Sequence, residues 1–282
     1  MADGPDRMAL THIEVPGGRL QVADDGAGPP IVLLHAGVAD LRAWDPLVPP
    51  LVAAGYRAVR PDTRGYGGST TEDVGFSLEA DLVAVLDALG IRRAALVGNS
   101  RGGMTAFDTA IAFPDRVVAV VGVGSGLGGF DGGGTPQEMA INEEYERVDS
   151  ADPFDADALT EFEAGVWLDG PGQRSGRVDA AVRAAFIEMA RPLNEPGRVR
   201  GQRIALDPPA NDRLAELHCP VLAIAGGLDF SEVTATAERI ASIAPDARAE
   251  VWPDVAHMIG MERPDRLAAS IIDFLAPLDR WA

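Results

Sequence analysis

The 282-residue sequence has a single cysteine, no lysine and no long apolar run. Cys219 alone cannot close an internal disulfide or build a cysteine-based metal cluster, so nothing points to an oxidising compartment. Because arginine supplies all 24 strongly basic side chains, a catalytic lysine, a Schiff base and a Walker-type phosphate loop are excluded. No stretch approaches the ~18 apolar residues of a membrane span, and the acidic N-terminal residues do not resemble a secretory signal. We therefore expect a cytoplasmic protein with no metal and no cofactor.

Basic side chains are also scarce relative to acidic ones. The 24 arginines face 43 aspartates and glutamates, which gives a formal net charge of −19. Such a surface repels nucleic acid and anionic membranes, so neither is expected as a partner. The expected partner is a small-molecule substrate, and the sequence leaves open whether the chain forms a homo-oligomer.

The order of apolar segments predicts an α/β fold. Short apolar runs typical of strands alternate with helical periodicity up to about residue 125 and again from residue 213. Strands that alternate with helices indicate a parallel sheet with helices on both faces. Between residues 126 and 212 no convincing strand appears, and helical stretches at 157–168 and 178–189 dominate. We predict a core of residues 1–125 and 213–282, interrupted by a helical cap of residues 126–212.

The segment Gly98–Gly102 matches the pattern G-x-S-x-G and lies between a predicted strand and a predicted helix. This is the context of a nucleophile elbow, in which a serine occupies a strained turn that flanking glycines leave room for. The following helix N-terminus favours developing negative charge. Ser100 is therefore the candidate nucleophile.

A serine nucleophile needs a base, and four histidines are available. His257 follows the last predicted strand, where a loop can bring its imidazole to the serine. His12 lies in a predicted hairpin, His218 at the start of a strand, and His35 is assigned a structural role. His257 is the candidate base, with a structural histidine as the alternative.

The acid that orients the base is expected after a strand and before the histidine in the chain. Asp229 meets this condition, and Asp131, which follows the previous strand, is its rival. Asp254 is too close to His257 in sequence to bend back easily. The backbone N–H groups of Gly37 and Arg101 are assigned to an oxyanion hole, since one lies in the loop after a strand and the other follows the serine.

Along nearly its whole length the chain resembles the α/β-hydrolase superfamily, and most closely its capped, cofactor-free members. These include 3-oxoadipate enol-lactonases, small esterases and the C–C bond hydrolases of aromatic degradation. The resemblance implies a mostly parallel, eight-stranded sheet and a Ser-His-Asp triad. The segments that carry it are Leu33–Gly37, Asp62–Gly67, Gly98–Gly103, Gly227–Asp229 and His257–Pro264.

Three positions separate this chain from particular branches of the superfamily. Asn99 is reminiscent of the C–C hydrolases, but these usually have methionine in place of Arg101 and tryptophan in place of Met258. Epoxide hydrolases and haloalkane dehalogenases resemble the chain too, but they use an aspartate where it has Ser100. The resemblance therefore favours hydrolysis of a carboxylic ester or lactone.

Two other functions stay open at this point. One is a C–C hydrolase of a vinylogous diketone, with Asn99 and a cap arginine polarising the ligand. The other is a ligand-binding or non-hydrolytic biosynthetic protein on the same scaffold. The arginines at the end of the cap could hold a substrate carboxylate, but they are interpreted as members of surface ion pairs, so we expect a neutral substrate; they are Arg191, Arg198, Arg200 and Arg203. The pocket is expected to be mainly apolar and the substrate fairly hydrophobic. The residues expected to contact that substrate are Asn99, Phe162, Trp167, Phe186 and Met189.

Overall fold

The computed structural model describes residues 10–278 and Trp281. The strands are β1 (Leu10–Val15), β2 (Gly18–Asp25), β3 (Pro30–Leu34), β4 (Arg57–Pro61), β5 (Thr70–Thr71), β6 (Gly75–Phe76), β7 (Ala94–Asn99), β8 (Val117–Val123), β9 (Gln202–Arg203), β10 (Val221–Gly226) and β11 (Ala247–Trp252). The α-helices are α1 (Val48–Ala53), α2 (Leu78–Ala88), α3 (Arg101–Ala112), α4 (Pro136–Asp149), α5 (Ala156–Glu163), α6 (Ala180–Ala190), α7 (Ser231–Ile243), α8 (Ile259–Glu262) and α9 (Pro264–Leu275). Within these residues, every helix is too short or too polar to cross a bilayer.

The main sheet confirms the predicted α/β architecture. Eight strands run in the order β1-β2-β4-β3-β7-β8-β10-β11, and the two-residue β5 adds to the side of β2. The pairs β1–β2 and β2–β4 are antiparallel, and every pair from β4–β3 to β10–β11 is parallel. All residues of β7 and β8 are buried, as expected for parallel strands that helices cover on both faces.

A hydrophobic core lies on each side of this sheet. Because successive strand residues point to opposite faces, Leu96 of β7 packs into one core with Phe107 of α3. Its neighbours Ala95 and Val97 pack into the other core with Ile271 of α9. The sheet is thereby fixed from both faces, and its carboxyl edge is a rigid base for the loops that follow the strands.

Between β8 and β10 the chain leaves the sheet and forms α4, α5 and α6. The helices expected at 157–168 and 178–189 are present as α5, extended by a π-helical turn over Ala164–Asp169, and as α6. Helix α4 was not predicted; it begins at a capping box and buries none of its side chains. The apolar residues Leu168, Phe186 and Met189 pack against Ala36 and Met258 of the core. This segment therefore rests on the loop after β3 and the loop before α8, while its predicted extent as a separate cap domain stays a prediction.

Candidate active site

Ser100 lies at the junction of β7 and α3 in a strained backbone conformation. Its φ of 56° makes it the one non-glycine residue with positive φ among residues 10–278 and Trp281. Its N–H donates to Val123 O of β8 (3.0 Å) and its carbonyl accepts from Met104 N of α3 (3.0 Å). A residue held in such a region costs ~1–3 kcal/mol, and such strain concentrates at functional sites. Two elements therefore hold the turn and present the serine at the carboxyl edge of the sheet.

The glycines around the serine are required by close backbone approaches. A Cβ at Gly98 would overlap the backbone of Gly102, and a Cβ at Gly102 would overlap the carbonyl of Leu34. A Cβ at Gly103 would collide with the side chain of Ser125. The G-x-S-x-G pattern thus lets α3 start directly against β3 and β7.

Replacing Gly102 with alanine is expected to lower the free energy of unfolding by ~3 kcal/mol or more, because the clash is with the Leu34 backbone and no side chain can rotate away. Gly165→Ala is the matched control, since a Cβ there meets nothing within 4 Å. Urea unfolding of both variants measures the difference. Equal stability of the two variants would contradict the proposed crowding at Gly102.

His257 and Asp229 form a buried pair. His257 follows β11 and Asp229 follows β10, and the Nδ1 atom of His257 lies 2.6 Å from Asp229 Oδ2. The other carboxylate oxygen, Oδ1, accepts from Phe230 N at 2.8 Å. With Nδ1–H donated to the carboxylate, Nε2 is left as the basic nitrogen of the imidazole.

The rival acids and histidines lie elsewhere. Asp131 is exposed and accepts from Gly133 N (2.8 Å). Asp254 is also exposed and pairs with Arg263 and Arg266. His12 and His218 are exposed as well. Among these side chains, the structure brings only Asp229 to His257.

Asn99 fastens the loop that carries His257. Its side chain is buried, and Nδ2 donates to His257 O (3.1 Å) and to Val123 O (2.8 Å). Asn99 is not among the residues that line the cavity containing Ser100. The structure therefore gives Asn99 a positioning contact in place of the substrate contact expected from the sequence.

His35 is fully buried behind the loop that contains Gly37. Its Nδ1 lies 2.7 Å from Ala36 O, and its Nε2 accepts from Thr63 N at 3.0 Å. Thr63 Oγ1 in turn accepts from Arg101 Nη2 (2.9 Å), and the Arg101 guanidinium stacks on Tyr66. These contacts join the loop after β3 to the start of α3, the two segments whose N–H groups were assigned to the oxyanion hole.

Burial, with a smaller effect from the Arg101 charge, lowers the pKa of His35 from 6.5 to about 4. In the unfolded chain the His35 imidazole is therefore protonated as the pH falls below about 6.5, whereas in the folded chain it is protonated only near pH 4. The free energy of unfolding consequently decreases as the pH falls between these two values. We expect His35 to contribute roughly 3 kcal/mol at pH 7 that is lost by pH 4.

The measurement is the difference in unfolding free energy between the natural protein and His35→Gln from pH 7 to pH 4. Burial raises the pKa of Asp62 and of Asp108 to about 6, which acts in the opposite direction, but both contributions cancel in the difference. A difference that stays constant over this range would contradict the prediction.

Ser100 and His257 line one cavity of about 280 Å³. No hydrogen bond joins the serine hydroxyl to the imidazole within the described part of the chain, and such contacts often tighten only when substrate binds. Gly37 and Arg101 line the same cavity, on the side of the core. The remaining lining residues are Val38, Tyr145, Asp149, Leu159, Glu163, Trp167, Leu193, Asn194 and Arg200.

The expectation of a mainly apolar pocket is wrong. Two acids, Asp149 and Glu163, and two arginines, Arg101 and Arg200, line the cavity with Tyr145 and Asn194. Of the other cap-end arginines, Arg191 pairs with Asp157 and Glu195 at the surface, as expected, whereas Arg203 pairs with the buried Asp108. Arg198 donates to the carbonyls of Gly65 and Pro192.

Trp167 is the one expected cap contact that lines this cavity. Its ring centroid lies 4.8 Å from that of His257 and 5.4 Å from that of Phe230. Phe186 and Met189 are buried in the apolar cluster that fixes the insertion to the core, and Phe162 packs on Tyr145. The π-helical turn places Trp167 over the imidazole, and π turns occur frequently at functional sites.

A larger cavity of about 400 Å³ lies between α6 and the segment Leu41–Leu47. It is lined by Val182, Met189 and Met261, and by the ion pair of Arg42 with Glu188. The residues that line it include no histidine, serine or cysteine, so this cavity holds neither the Ser100 turn nor an imidazole base. The smaller cavity is therefore the candidate active site.

Comparison with known proteins gives a family match across most of the chain. The model described as "Alpha/beta hydrolase family" matches residues 31–270. A solved structure described as an N-acyl homoserine lactone degrading enzyme is 26% identical, with a TM-score of 0.72 over 94% of this chain and all of that one.

Two curated relatives with higher identity match over shorter segments. The bifunctional epoxide hydrolase 2 of Sus scrofa is 36% identical over 123 residues, which is 41% of this chain and 22% of that protein. The 2-hydroxy-6-oxo-6-phenylhexa-2,4-dienoate hydrolase of Burkholderia cepacia is 36% identical over 115 residues, 38% of this chain and 40% of that protein. Each match thus covers less than half of either protein.

Proposed function

We propose that this chain, which belongs to the α/β-hydrolase family, is a serine hydrolase that cleaves a carboxylic ester or lactone through an acyl-enzyme. The observation that carries the proposal is that Ser100, on its strained turn, shares a cavity with His257, whose Nδ1 lies 2.6 Å from a buried carboxylate oxygen of Asp229. These are a nucleophile, a base and an acid that orients the base.

In the proposed reaction His257 Nε2 takes the proton of Ser100 as the hydroxyl oxygen attacks the substrate carbonyl. Asp229 holds the imidazole in the tautomer that leaves Nε2 free and stabilises its protonated form. The N–H groups of Gly37 and Arg101 stabilise the oxyanion, and removing one such donor typically costs ~10²–10³ in rate. The protonated imidazole then gives its proton to the leaving oxygen, which yields the acyl-enzyme.

Water completes the cycle by the same route. His257 removes a proton from water as it attacks the acyl-enzyme, and Ser100 leaves as the hydroxyl. For a lactone the released alcohol and acid are one molecule, so ring opening needs no additional group in the site. Gly37 and Arg101 again hold the oxyanion of the second tetrahedral intermediate.

Two features distinguish this chain from family members that catalyse other reactions. Epoxide hydrolases resembling this chain form an ester on an aspartate, and the corresponding position here is Ser100. The C–C hydrolase alternative relied on Asn99 and a cap arginine to polarise the ligand. The Asn99 amide instead holds two backbone carbonyls, so of this pair only a cap arginine, Arg200, lines the cavity. Neither observation favours a second function over ester or lactone hydrolysis.

The experiment combines labelling with a substrate panel. A serine-directed fluorophosphonate is expected to label Ser100, as found by peptide mass analysis, and to block turnover of p-nitrophenyl acetate. The panel then compares short esters, γ- and δ-lactones, ring-fission diketones and epoxides. Labelling without turnover of any ester or lactone would refute the proposal, and turnover of diketones alone would favour the C–C hydrolase.

A further inference from the structure

The far end of the cavity, away from the sheet, holds a buried carboxylate. Glu163 of α5 is 4% exposed, and its Oε1 accepts from Tyr145 Oη (2.8 Å) while its Oε2 accepts from Asn194 Nδ2 (2.6 Å). Asn194 Nδ2 also reaches Thr160 Oγ1 at 3.1 Å. Each carboxylate oxygen has two acceptor sites and uses one, so Glu163 is fixed in place and can still accept from a ligand.

Arg200 places a positive charge in the same cavity without contacting that carboxylate. Its Nη2 donates to Leu193 O (2.6 Å), and it forms no ion pair within residues 10–278. Leu193 is next to Asn194, whose amide binds Glu163, so Arg200 and Glu163 line the same part of the cavity. The Arg200 charge accordingly opposes the rise that burial causes in the pKa of Glu163. A guanidinium has five N–H donors, so Arg200 retains donors for a ligand.

The other charged groups of the cavity balance one another. Arg101 is held by Thr63 and Tyr66, and Asp149 is exposed at the rim. With Glu163 and Arg200, the lining therefore has two formal positive and two formal negative charges. A carboxylate would meet Glu163 and an ammonium would meet Arg200, so neither kind of ion gains a net attraction.

We propose that the substrate carries a neutral group that both donates and accepts hydrogen bonds, a hydroxyl or an amide, and that this group bridges Glu163 and Arg200. The hydroxyl or amide hydrogen is donated to a carboxylate oxygen of Glu163, and the oxygen accepts from the Arg200 guanidinium. The inference rests on the proposed hydrolase and specifies its substrate: a small polar ester or lactone, in place of the hydrophobic one expected from the sequence.

A substrate without such a polar group would leave Glu163 and Arg200 without a hydrogen-bond partner for their remaining sites. An alkyl chain at the far end of the cavity would exclude water from Glu163 and Arg200 and would form no hydrogen bond with either group. Sites built to hydrogen-bond a substrate reject analogues that lack the group by large factors, up to ~10⁴–10⁵. Here Tyr145 and Asn194 already donate one hydrogen bond to each carboxylate oxygen of Glu163. We therefore expect only about a tenfold preference in kcat/KM for a substrate with the polar group over one without it.

The test compares kcat/KM for three p-nitrophenyl esters whose acyl chains have equal length and end in a carboxamide, an isopropyl group or a carboxylate. The natural protein is expected to prefer the carboxamide about tenfold over both others. In Arg200→Met and in Glu163→Gln the ratio of carboxamide to isopropyl should fall toward one. Arg191→Met is the matched control, because Arg191 lies in surface ion pairs, and it should keep the preference.

Glu163→Gln adds an independent readout, since it removes one negative charge and leaves Arg200 uncompensated. Turnover of the carboxylate ester should then rise relative to the other two. Equal kcat/KM for carboxamide and isopropyl esters, or a preference for the carboxylate in the natural protein, would overturn the inference. Fluorophosphonate labelling and p-nitrophenyl acetate turnover are measured in parallel: if both are absent the proposed hydrolase fails, and if both are present only the polar-group inference is at stake.

Discussion

Ester turnover is expected to fall by roughly 10⁶-fold when Ser100 is replaced by alanine, a loss of the size measured when the nucleophile of a serine protease is removed. Without the hydroxyl no acyl-enzyme forms, and His257 has no proton to remove. The turn itself should persist, because the contacts that hold it are the backbone bonds to Val123 and Met104. The measurements are steady-state turnover of p-nitrophenyl acetate and thermal unfolding of the variant.

Ser125→Ala is the matched control for this prediction. Ser125 is buried next to the elbow, donates to Gly126 O (2.7 Å) and does not line the cavity. The control should therefore keep most of its turnover. Turnover at the natural rate by Ser100→Ala would end the serine-hydrolase proposal, whatever the control does.

Replacing Asp229 with asparagine is expected to lower kcat by about 10⁴-fold, the effect of the same change in the best-studied protease triad. An asparagine amide can donate to Nδ1 of His257, which would put the ring proton on Nε2 and remove the base. Asp131→Asn is the matched control, because Asp131 is exposed and bonds only to its own loop. Both variants are measured with the same ester.

The reverse result would be a loss of kcat in Asp131→Asn with kcat retained in Asp229→Asn. It would show that the acid that orients His257 is the one that follows β8. That outcome would require a rearrangement that brings Asp131 to His257 in place of Asp229. Loss in both variants would point to an effect on folding, which the unfolding midpoint of each protein reports. The prediction therefore separates the chemical role of the carboxylate from its contribution to stability.

The geometry around Ser100, His257 and Asp229 could be predicted because each lies just after a strand of a parallel sheet. The carboxyl ends of parallel strands lie at one edge, so residues distant in sequence converge there once the strands are recognised. Their spacing in the chain and the glycines at 98 and 102 were sufficient for this inference. Asp229 and Asp131 both meet the chain order expected of the acid, and the contact of Asp229 Oδ2 with His257 Nδ1 distinguishes them.

The polarity of the cavity could not be predicted in the same way. Tyr145, Glu163 and Asn194 come from α4, α5 and the turn after α6, and only the packing of the insertion brings them together. No residue of α4 is fully buried, so its apolar pattern is too weak to indicate which face meets α5. Tertiary contacts of this kind have no local signature in the sequence.

One signal in the sequence could have identified Glu163. Leu159, Glu163 and Trp167 are spaced four residues apart, which puts them on one face of a helix, and all three line the cavity. A carboxylate in the middle of an otherwise apolar face is unfavourable unless it has partners. The same spacing explains why Phe162, one position earlier, turns away from the cavity and packs on Tyr145.

The π-helical turn over Ala164–Asp169 has a consequence for how such a site can arise and be altered. A π turn is the result of one extra residue in an α-helix, so the gain or loss of a single codon there rotates everything downstream by about 100°. Deleting Gly165 would carry Trp167 off the His257 ring while leaving Glu163, on the upstream side, where it is. The gene for this chain can therefore change the roof over the His257 imidazole in one mutational step, with the strands and the elbow untouched.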